Sequence, residues 1–119
     1  VELLNTMEIK TIALSDTIGV ADSSIISSVF DNLINKYPQI EFGAHFHSTK
    51  DKWKEKIDAA YKSGCRRFDG TLKGYGGCPM AKDELVGNID TENIINYFSL
   101  SFDNKSLNNA KYLCDLIFN

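Results

Sequence analysis

The sequence predicts an α/β domain in which parallel strands alternate with helices. Strand-like periods occur at Ile9–Leu14 and Ile40–His47, with a helical stripe between them. A second helical stripe and a third strand-like run, Cys65–Asp69, follow in the same order. Strands joined by helices usually pair in parallel through crossover connections, and the pattern therefore predicts a parallel sheet.

The helix boundaries follow from capping residues and helix breakers. The first long helix is expected to begin at Asp22 or Ser23 and to end before Pro38. The second is expected to open at Thr49 or Asp51 and to close at Gly64. After a glycine-rich loop at 70–77, two further helices are predicted, the first capped by Asp90 and the last covering 107–117. Residues 1–7 resemble the end of another helix.

Composition limits the class of protein. The 119 residues are 43% hydrophobic and 24% charged, which is ordinary for one soluble globular domain. Only three strands are predicted, so residues 1–119 would form a single partial domain of a larger α/β fold or would assemble with copies of themselves. A net charge of −3 favours neither nucleic acid nor an anionic membrane as a partner, and no targeting or membrane segment is visible. Three cysteines without a CxxC pair argue against a disulfide scaffold and suit a reducing compartment, so a cytoplasmic location is expected. Cys65 and Cys114 are expected to be core residues.

The pair His45 and His47 is the sharpest chemical signal. Residues i and i+2 of a strand point to the same face, so both imidazoles are expected to converge at the end of the second strand. Imidazole is a common metal ligand, and the pair could form half of a metal site. The alternative is two polar residues on the solvent face of a half-buried strand.

Three further signals lie near strand ends. The loop Gly74–Pro79 carries Cys78 among glycines, which is typical of an active-site loop with a nucleophile or a proton donor, or of a tight turn with an incidental cysteine. Asp16 and Thr17 follow the first strand, where parallel α/β folds place their sites, although an Asx turn is the alternative. Asn88 could donate a carbonyl oxygen to a metal or serve as a turn residue. These groups are expected to gather at one rim of a barrel.

The motifs and their order resemble those of the hydroxymethylglutaryl-CoA lyases. The His-x-His pair is shared across the TIM-barrel metal-dependent lyases and acyl-CoA condensing enzymes, whereas the GxGGCP loop is specific to these lyases. The resemblance implies that the chain is the C-terminal part of a TIM (β/α)8 barrel, comprising its last three βα units plus the terminal helices. It covers about residues 11–98 and is carried by these segments: Ser15–Ala21, His45–Thr49, Gly74–Ala81, Gly87-Asn88 and Thr91-Glu92.

The resemblance also implies roles for individual residues. The metal ligands would be His45, His47 and Asn88, holding Mg²⁺ or Mn²⁺. The implied catalytic residues are Cys78, His45 and Asp16, and the implied substrate-binding residues are Thr17, Gly76 and Gly77. The implied reaction splits 3-hydroxy-3-methylglutaryl-CoA, an acyl-CoA substrate, into acetyl-CoA and acetoacetate.

The family's arginine, metal-binding aspartate and catalytic glutamate belong to its first two strands, which have no counterpart here. The chain alone is therefore expected to be inactive, with the missing N-terminal barrel half or another copy of itself as a partner. The inward positions near Ala44 and the stripe at Ile25, Val29 and Phe30 are expected to lack packing partners, which predicts a homo-oligomer. The alternatives are a related TIM-barrel aldolase or condensing enzyme similar to isopropylmalate synthase, or a non-catalytic oligomerising remnant of a barrel.

Overall fold

A computed structural model describes residues 1–77 and 86–118. The element order agrees with the predicted alternation, with one additional short strand near residue 88. The elements, in chain order, are α1 (Glu2–Thr6), β1 (Thr11–Asp16), α2 (Ser23–Lys36), β2 (Glu41–Ser48), α3 (Trp53–Lys62), β3 (Arg67–Phe68), a 3-10 turn (Leu72–Gly74), β4 (Gly87–Asn88), α4 (Thr91–Tyr97) and α5 (Asn104–Phe118).

The sheet is built around β2. Strand β1 pairs with β2 in parallel over six residue pairs, from Thr11 opposite Glu41 to Asp16 opposite Phe46. Strand β3 pairs with β2 in parallel over only two residue pairs, and β4 runs antiparallel to the end of β2. The predicted parallel order of the first three strands is confirmed. The antiparallel β4 was not predicted.

Helix ends confirm most of the capping predictions. The Asp22 carboxylate accepts a hydrogen bond from the Ile25 backbone N–H at 2.9 Å and so caps α2. Gly64 adopts a φ of 97° just after α3, as a glycine that terminates a helix does. The start of α3 is different from the prediction, because the residue that precedes the helix is Lys52 and makes no side-chain cap.

The core lies between the sheet and the α2–α3 layer. Phe42, Ala44 and Phe46 alternate along β2 and are buried against these helices. The ring of Phe30 from α2 meets the ring of Phe46 edge-on, with centroids 6.2 Å apart. The expectation that Ala44 and Phe30 lack packing partners is therefore wrong, since both are buried within this chain. Ile25 is exposed, as expected.

Self-association of this chain stays a prediction. Ile25 and Val29 on α2 are exposed, as are Leu116 and Ile117 on α5. Each Å² of apolar surface left in water forgoes about 25 cal/mol, which favours contact between copies, most simply as a two-fold dimer. Light scattering of the chain at micromolar concentration should give a mass above that of the monomer. A monodisperse monomer with cooperative unfolding would contradict this.

Within the described residues, no helix combines the length and apolar character needed to cross a membrane.

Candidate functional site

The two histidines of β2 lie side by side, as their spacing predicts. The ring centroids of His45 and His47 are 5.4 Å apart, with the ring planes at 68° to each other. His47 is buried, whereas His45 is half-buried and lines an open cavity of about 600 Å³. The prediction that both imidazoles occupy one face of the strand is confirmed.

Each imidazole has an oxygen next to its Nδ1 atom. For His45 it is an Asp69 carboxylate oxygen at 3.6 Å, and for His47 it is the Val86 backbone carbonyl at 3.3 Å. The Val86 carbonyl can only accept, which favours the His47 tautomer with its proton on Nδ1 and leaves the Nε2 lone pair as the donor to a metal. The Asp69 oxygen faces His45 Nδ1 from beyond hydrogen-bond distance and does not fix the tautomer of that ring.

Asn88 completes a group of three polar side chains. In the antiparallel β2–β4 pair its Cα lies directly opposite that of His47, which places the two side chains on the same face. The Asn88 amide nitrogen donates a hydrogen bond to the Tyr75 carbonyl at 3.0 Å. The amide oxygen is therefore the atom of this side chain with the chemistry of a metal ligand.

The donor set suits part of a metal site. Two imidazole nitrogens and one amide oxygen fit a divalent cation, but Mg²⁺ prefers charged oxygen ligands. Among residues 1–77 and 86–118, no three side chains of His, Cys, Asp or Glu are grouped closely enough to hold a metal ion. The residues described here therefore fit two or three positions of a coordination sphere and leave a carboxylate to be supplied from elsewhere.

The Asp16 side chain lies on the opposite face of the sheet from the histidine rings. The β1–β2 register places Ser15 beside His45 and Asp16 beside Phe46, so the Asp16 side chain shares the helix-facing side of the sheet. There its carboxylate accepts hydrogen bonds from the backbone N–H groups of Val20 and Ala21 at 3.0 and 3.1 Å. It also lies 2.6 Å from the Lys56 ammonium group. These contacts reach residues four and five positions along the chain, whereas an Asx turn bonds to the backbone two residues on, so they are not those of an Asx turn. A catalytic role for Asp16 stays a prediction.

Lys56 is the polar residue that sequence reasoning missed. It is only 2% exposed, and its ammonium group donates to Asp16 Oδ2 at 2.6 Å and to the backbone carbonyls of Gly19 and His47, each at 2.9 Å. All three N–H donors are thus used. A signal was present, because Lys56 lies on the stripe of α3 that also carries Trp53 and Ala60.

The remaining predicted residues are spread over the glycine-rich loop and the turn after β1. Gly76 and Gly77 are exposed and line a cavity of about 450 Å³ together with Asn88. Gly76 has a φ of 87°, a left-handed conformation that favours glycine. Thr17 is exposed in the turn that follows β1. Cys78 lies outside the described residues.

The other two cysteines are consistent with structural positions. Cys65 is 1% exposed, and its thiol donates to the Arg67 carbonyl at 3.1 Å. Burial raises the pKa of the Cys65 thiol, which disfavours the reactive thiolate. Cys114 is half-buried on α5. The prediction that Cys65 is a core residue is confirmed, whereas Cys114 lies on α5, none of whose described residues is buried, and is not the core residue that was predicted.

Known proteins resemble this chain in sequence and in fold. A hydroxymethylglutaryl-CoA lyase of Bacillus subtilis is 34% identical over 94 residues, which cover 79% of this chain and 31% of that protein. An (R)-citramalyl-CoA lyase of Chloroflexus aurantiacus is 33% identical over 88 residues, covering 74% and 27%. The crystal structure of hydroxymethylglutaryl-CoA lyase from Pseudomonas aeruginosa superimposes with a TM-score of 0.81 at 26% identity, covering 98% of this chain and 40% of that one.

These matches confirm the predicted fold and show how much of it is present. The structural neighbours are TIM barrels, so the β1–β3 sheet with its helices is a part of such a barrel. The chain spans about a third of the length of the curated relatives named above. A family model described as HMGL-like matches residues 1–112. The chain thus belongs to the HMGL-like family, of which it is a partial segment.

Proposed function

We propose that the protein containing this chain is a divalent-metal-dependent carbon–carbon lyase. Its substrate would be 3-hydroxy-3-methylglutaryl-CoA, and its products acetyl-CoA and acetoacetate. The observation that carries the proposal is the group formed by His45, His47 and Asn88, in which each histidine has an oxygen at Nδ1. Membership of the HMGL-like family and similarity to two acyl-CoA lyases support the reaction class.

The residues present would bind a divalent cation and transfer a proton to or from the substrate. His45 and His47 would bind the cation through Nε2, and Asn88 through its amide oxygen. The cation would supply Lewis acidity, which lowers the pKa of a hydroxyl bound to it. His45 is half-buried beside an open cavity. With Nε2 on the cation, the proton that His45 could still exchange is the one on Nδ1, the atom that faces Asp69.

The glycine-rich loop would bring the substrate to these groups. Gly76 and Gly77 lack side chains and lie next to Asn88, so a thioester could approach the backbone closely. Cys78 follows Gly77 directly in the sequence, and we propose that its thiol takes part in proton transfer. Thr17 would contact the substrate from the turn after β1.

The reaction can be tested with an assay that couples acetyl-CoA release to a chromophore. With Mg²⁺ and hydroxymethylglutaryl-CoA, the full-length protein should release acetyl-CoA, and the 119-residue chain alone should release none above background. The chain lacks a grouped carboxylate ligand among its described residues, and Mg²⁺ binding should therefore be weak. Replacing Cys78 with alanine in the full-length protein should lower turnover by on the order of a hundredfold or more, the usual scale for a lost proton-transfer group.

The same assay separates the alternatives. Efficient cleavage by the 119-residue chain would contradict the proposed division of the site between this chain and the rest of the barrel. (R)-citramalyl-CoA serves as the second substrate, because one relative is a lyase for that thioester. Faster turnover of citramalyl-CoA than of hydroxymethylglutaryl-CoA would change the proposed substrate and keep the reaction class. Condensation without cleavage would favour the acyl-CoA condensing enzymes, and no activity by the full-length protein would favour a non-catalytic remnant.

A further inference from the structure

Lys56 connects three parts of the molecule beneath the histidine pair. Its ammonium group donates to the carboxylate at the end of β1, to the Gly19 carbonyl in the next turn and to the His47 carbonyl near the end of β2. The group is almost fully buried, and a buried ammonium is costly unless it is paired and fully hydrogen-bonded. Lys56 meets that requirement through these three acceptors alone.

The contact with His47 is the informative one. One of the three acceptors that the buried ammonium group needs is the backbone carbonyl of His47, a proposed metal ligand. The Lys56 bond holds the His47 backbone from the helix side of the sheet, and the Val86 carbonyl faces the His47 ring at Nδ1. His47 is thereby fixed at two atoms, one in the backbone and one in the ring.

The turn after β1 fits tightly against the same residue. A Cβ atom built on Gly19 would lie 3.2 Å from the His47 carbonyl oxygen and 2.5 Å from Val86 Cγ1. Gly19 also adopts a φ of 71°, which favours glycine. The turn, the end of β2 and the segment before β4 are therefore in direct contact, and the ammonium group of Lys56 bonds to the first two.

We infer that Lys56 is a positioning residue, which holds the His47 backbone through the His47 carbonyl so that the imidazole is presented to the cation. The inference rests on the proposed metal site and adds to it a residue from α3, on the opposite side of the sheet from the histidine rings. Partners that orient a ligand typically change metal affinity by about 10- to 100-fold when they are lost. A similar loss is expected when Lys56 can no longer reach the His47 carbonyl.

The test is a Mn²⁺ titration of the full-length protein, with free Mn²⁺ followed by electron paramagnetic resonance. Lys56→Met alone would leave Asp16 buried without its partner and could unfold the protein, so the informative variant is Asp16→Asn/Lys56→Met. Asp16→Asn alone is its matched reference, because there Lys56 keeps both carbonyl bonds and the asparagine amide oxygen can still accept its third hydrogen bond. This variant also leaves a buried charge without its counter-ion, so its thermal unfolding is measured first. Lys62→Met, on the exposed side of the same helix, is the surface control.

The double variant should bind Mn²⁺ about 10- to 100-fold more weakly than Asp16→Asn, while Lys62→Met matches the unmodified protein. At saturating Mn²⁺, the double variant should recover most of the turnover that it lacks relative to Asp16→Asn. A damaged fold would not allow this recovery. Thermal unfolding followed by circular dichroism reports whether each variant folds. Asp16→Asn/Lys56→Gln, which is closer in polarity, takes the place of the methionine variant if the latter does not fold.

Equal Mn²⁺ affinity in Asp16→Asn and in the folded double variant would overturn the inference. The role left to Lys56 would then be its ion pair with Asp16. A separate variant, His47→Gln, tests the metal site itself. If the unmodified protein binds no Mn²⁺, or binds it equally well after His47→Gln, the proposed metal site fails and the inference fails with it. If His47→Gln weakens binding but the double variant does not, only the inference fails.

Discussion

Replacing His47 with alanine in the full-length protein is expected to lower kcat/KM for hydroxymethylglutaryl-CoA by about a thousandfold or more. A metal acting as a Lewis acid contributes several kcal/mol to catalysis, and each 1.4 kcal/mol corresponds to about a factor of ten. His47 is one of only two histidines in the chain, and its ring lies beside the other. Steady-state kinetics at fixed Mg²⁺, together with a Mn²⁺ titration, measure both the loss of activity and the loss of metal.

A second substitution separates ligation from packing. His47→Gln keeps a side chain that can donate to the Val86 carbonyl but removes the imidazole donor. If His47 is a ligand, His47→Gln should lose nearly as much activity as His47→Ala while unfolding close to the temperature of the unmodified protein. Activity within tenfold of the unmodified protein for His47→Gln would show that position 47 serves packing, and the metal site would have to lie elsewhere.

Replacing Phe30 with alanine is expected to cost about 3–5 kcal/mol in the free energy of unfolding. Phe30 is 1% exposed, and its ring meets that of Phe46 edge-on, so truncation removes apolar contacts and an aromatic pair. Phe46 lies between His45 and His47 in the sequence, and the cavity would therefore open directly behind the histidine strand. Urea unfolding of the full-length protein, followed by fluorescence or circular dichroism, measures the change.

Val29→Ala is the matched control for Phe30→Ala. Val29 precedes Phe30 in the same helix but is 40% exposed, so its truncation should cost less than about 1 kcal/mol in this chain. A cost for Val29→Ala equal to that for Phe30→Ala would show that α2 packs through its other face in the complete barrel. A cost below about 1 kcal/mol for Phe30→Ala would mean that the site relaxes around the cavity.

Local sequence patterns predicted most of the elements because local physics determines them. The stripe of α2 reflects burial of one helix face, and Asp22 caps α2 through a contact three residues away. The apolar residues that alternate along β2 pack against the helices, although Gly43 and His47 on the other face are buried as well. The start of α3 was misplaced because no side chain caps it. Strand β4 is two residues long and forms only through pairing with β2, a contact that the local sequence does not encode.

The candidate site was predictable only where it depends on spacing within one strand. The spacing of His45 and His47 predicted their shared face, whereas the oxygens from Asp69 and Val86 come from segments distant in sequence. Lys56 was overlooked because a lysine is normally exposed, although its position on the buried stripe of α3 was visible.

Asp16 illustrates a limit of predicting a site from strand ends alone. Its place at the end of β1 was predicted correctly, but the face on which its side chain lies depends on the β1–β2 register. A shift of one residue would exchange Asp16 with Ser15 beside His45. Tertiary pairing, which the sequence pattern did not specify, decides that Asp16 bonds to Lys56.

The unequal pairing of β2 with its two parallel neighbours implies unequal protection of backbone amides. Six residue pairs join β1 to β2, whereas two pairs join β2 to β3. Local opening needs fewer broken bonds on the β3 side, so amides there exchange with solvent through smaller fluctuations than those between β1 and β2. Asp69, which faces His45, directly follows β3, while Asp16 and Lys56 lie on the β1 side. The Asp69 carboxylate beside His45 therefore follows the part of the sheet that opens more readily, whereas Asp16, the ion-pair partner of Lys56, ends the longer β1–β2 ladder.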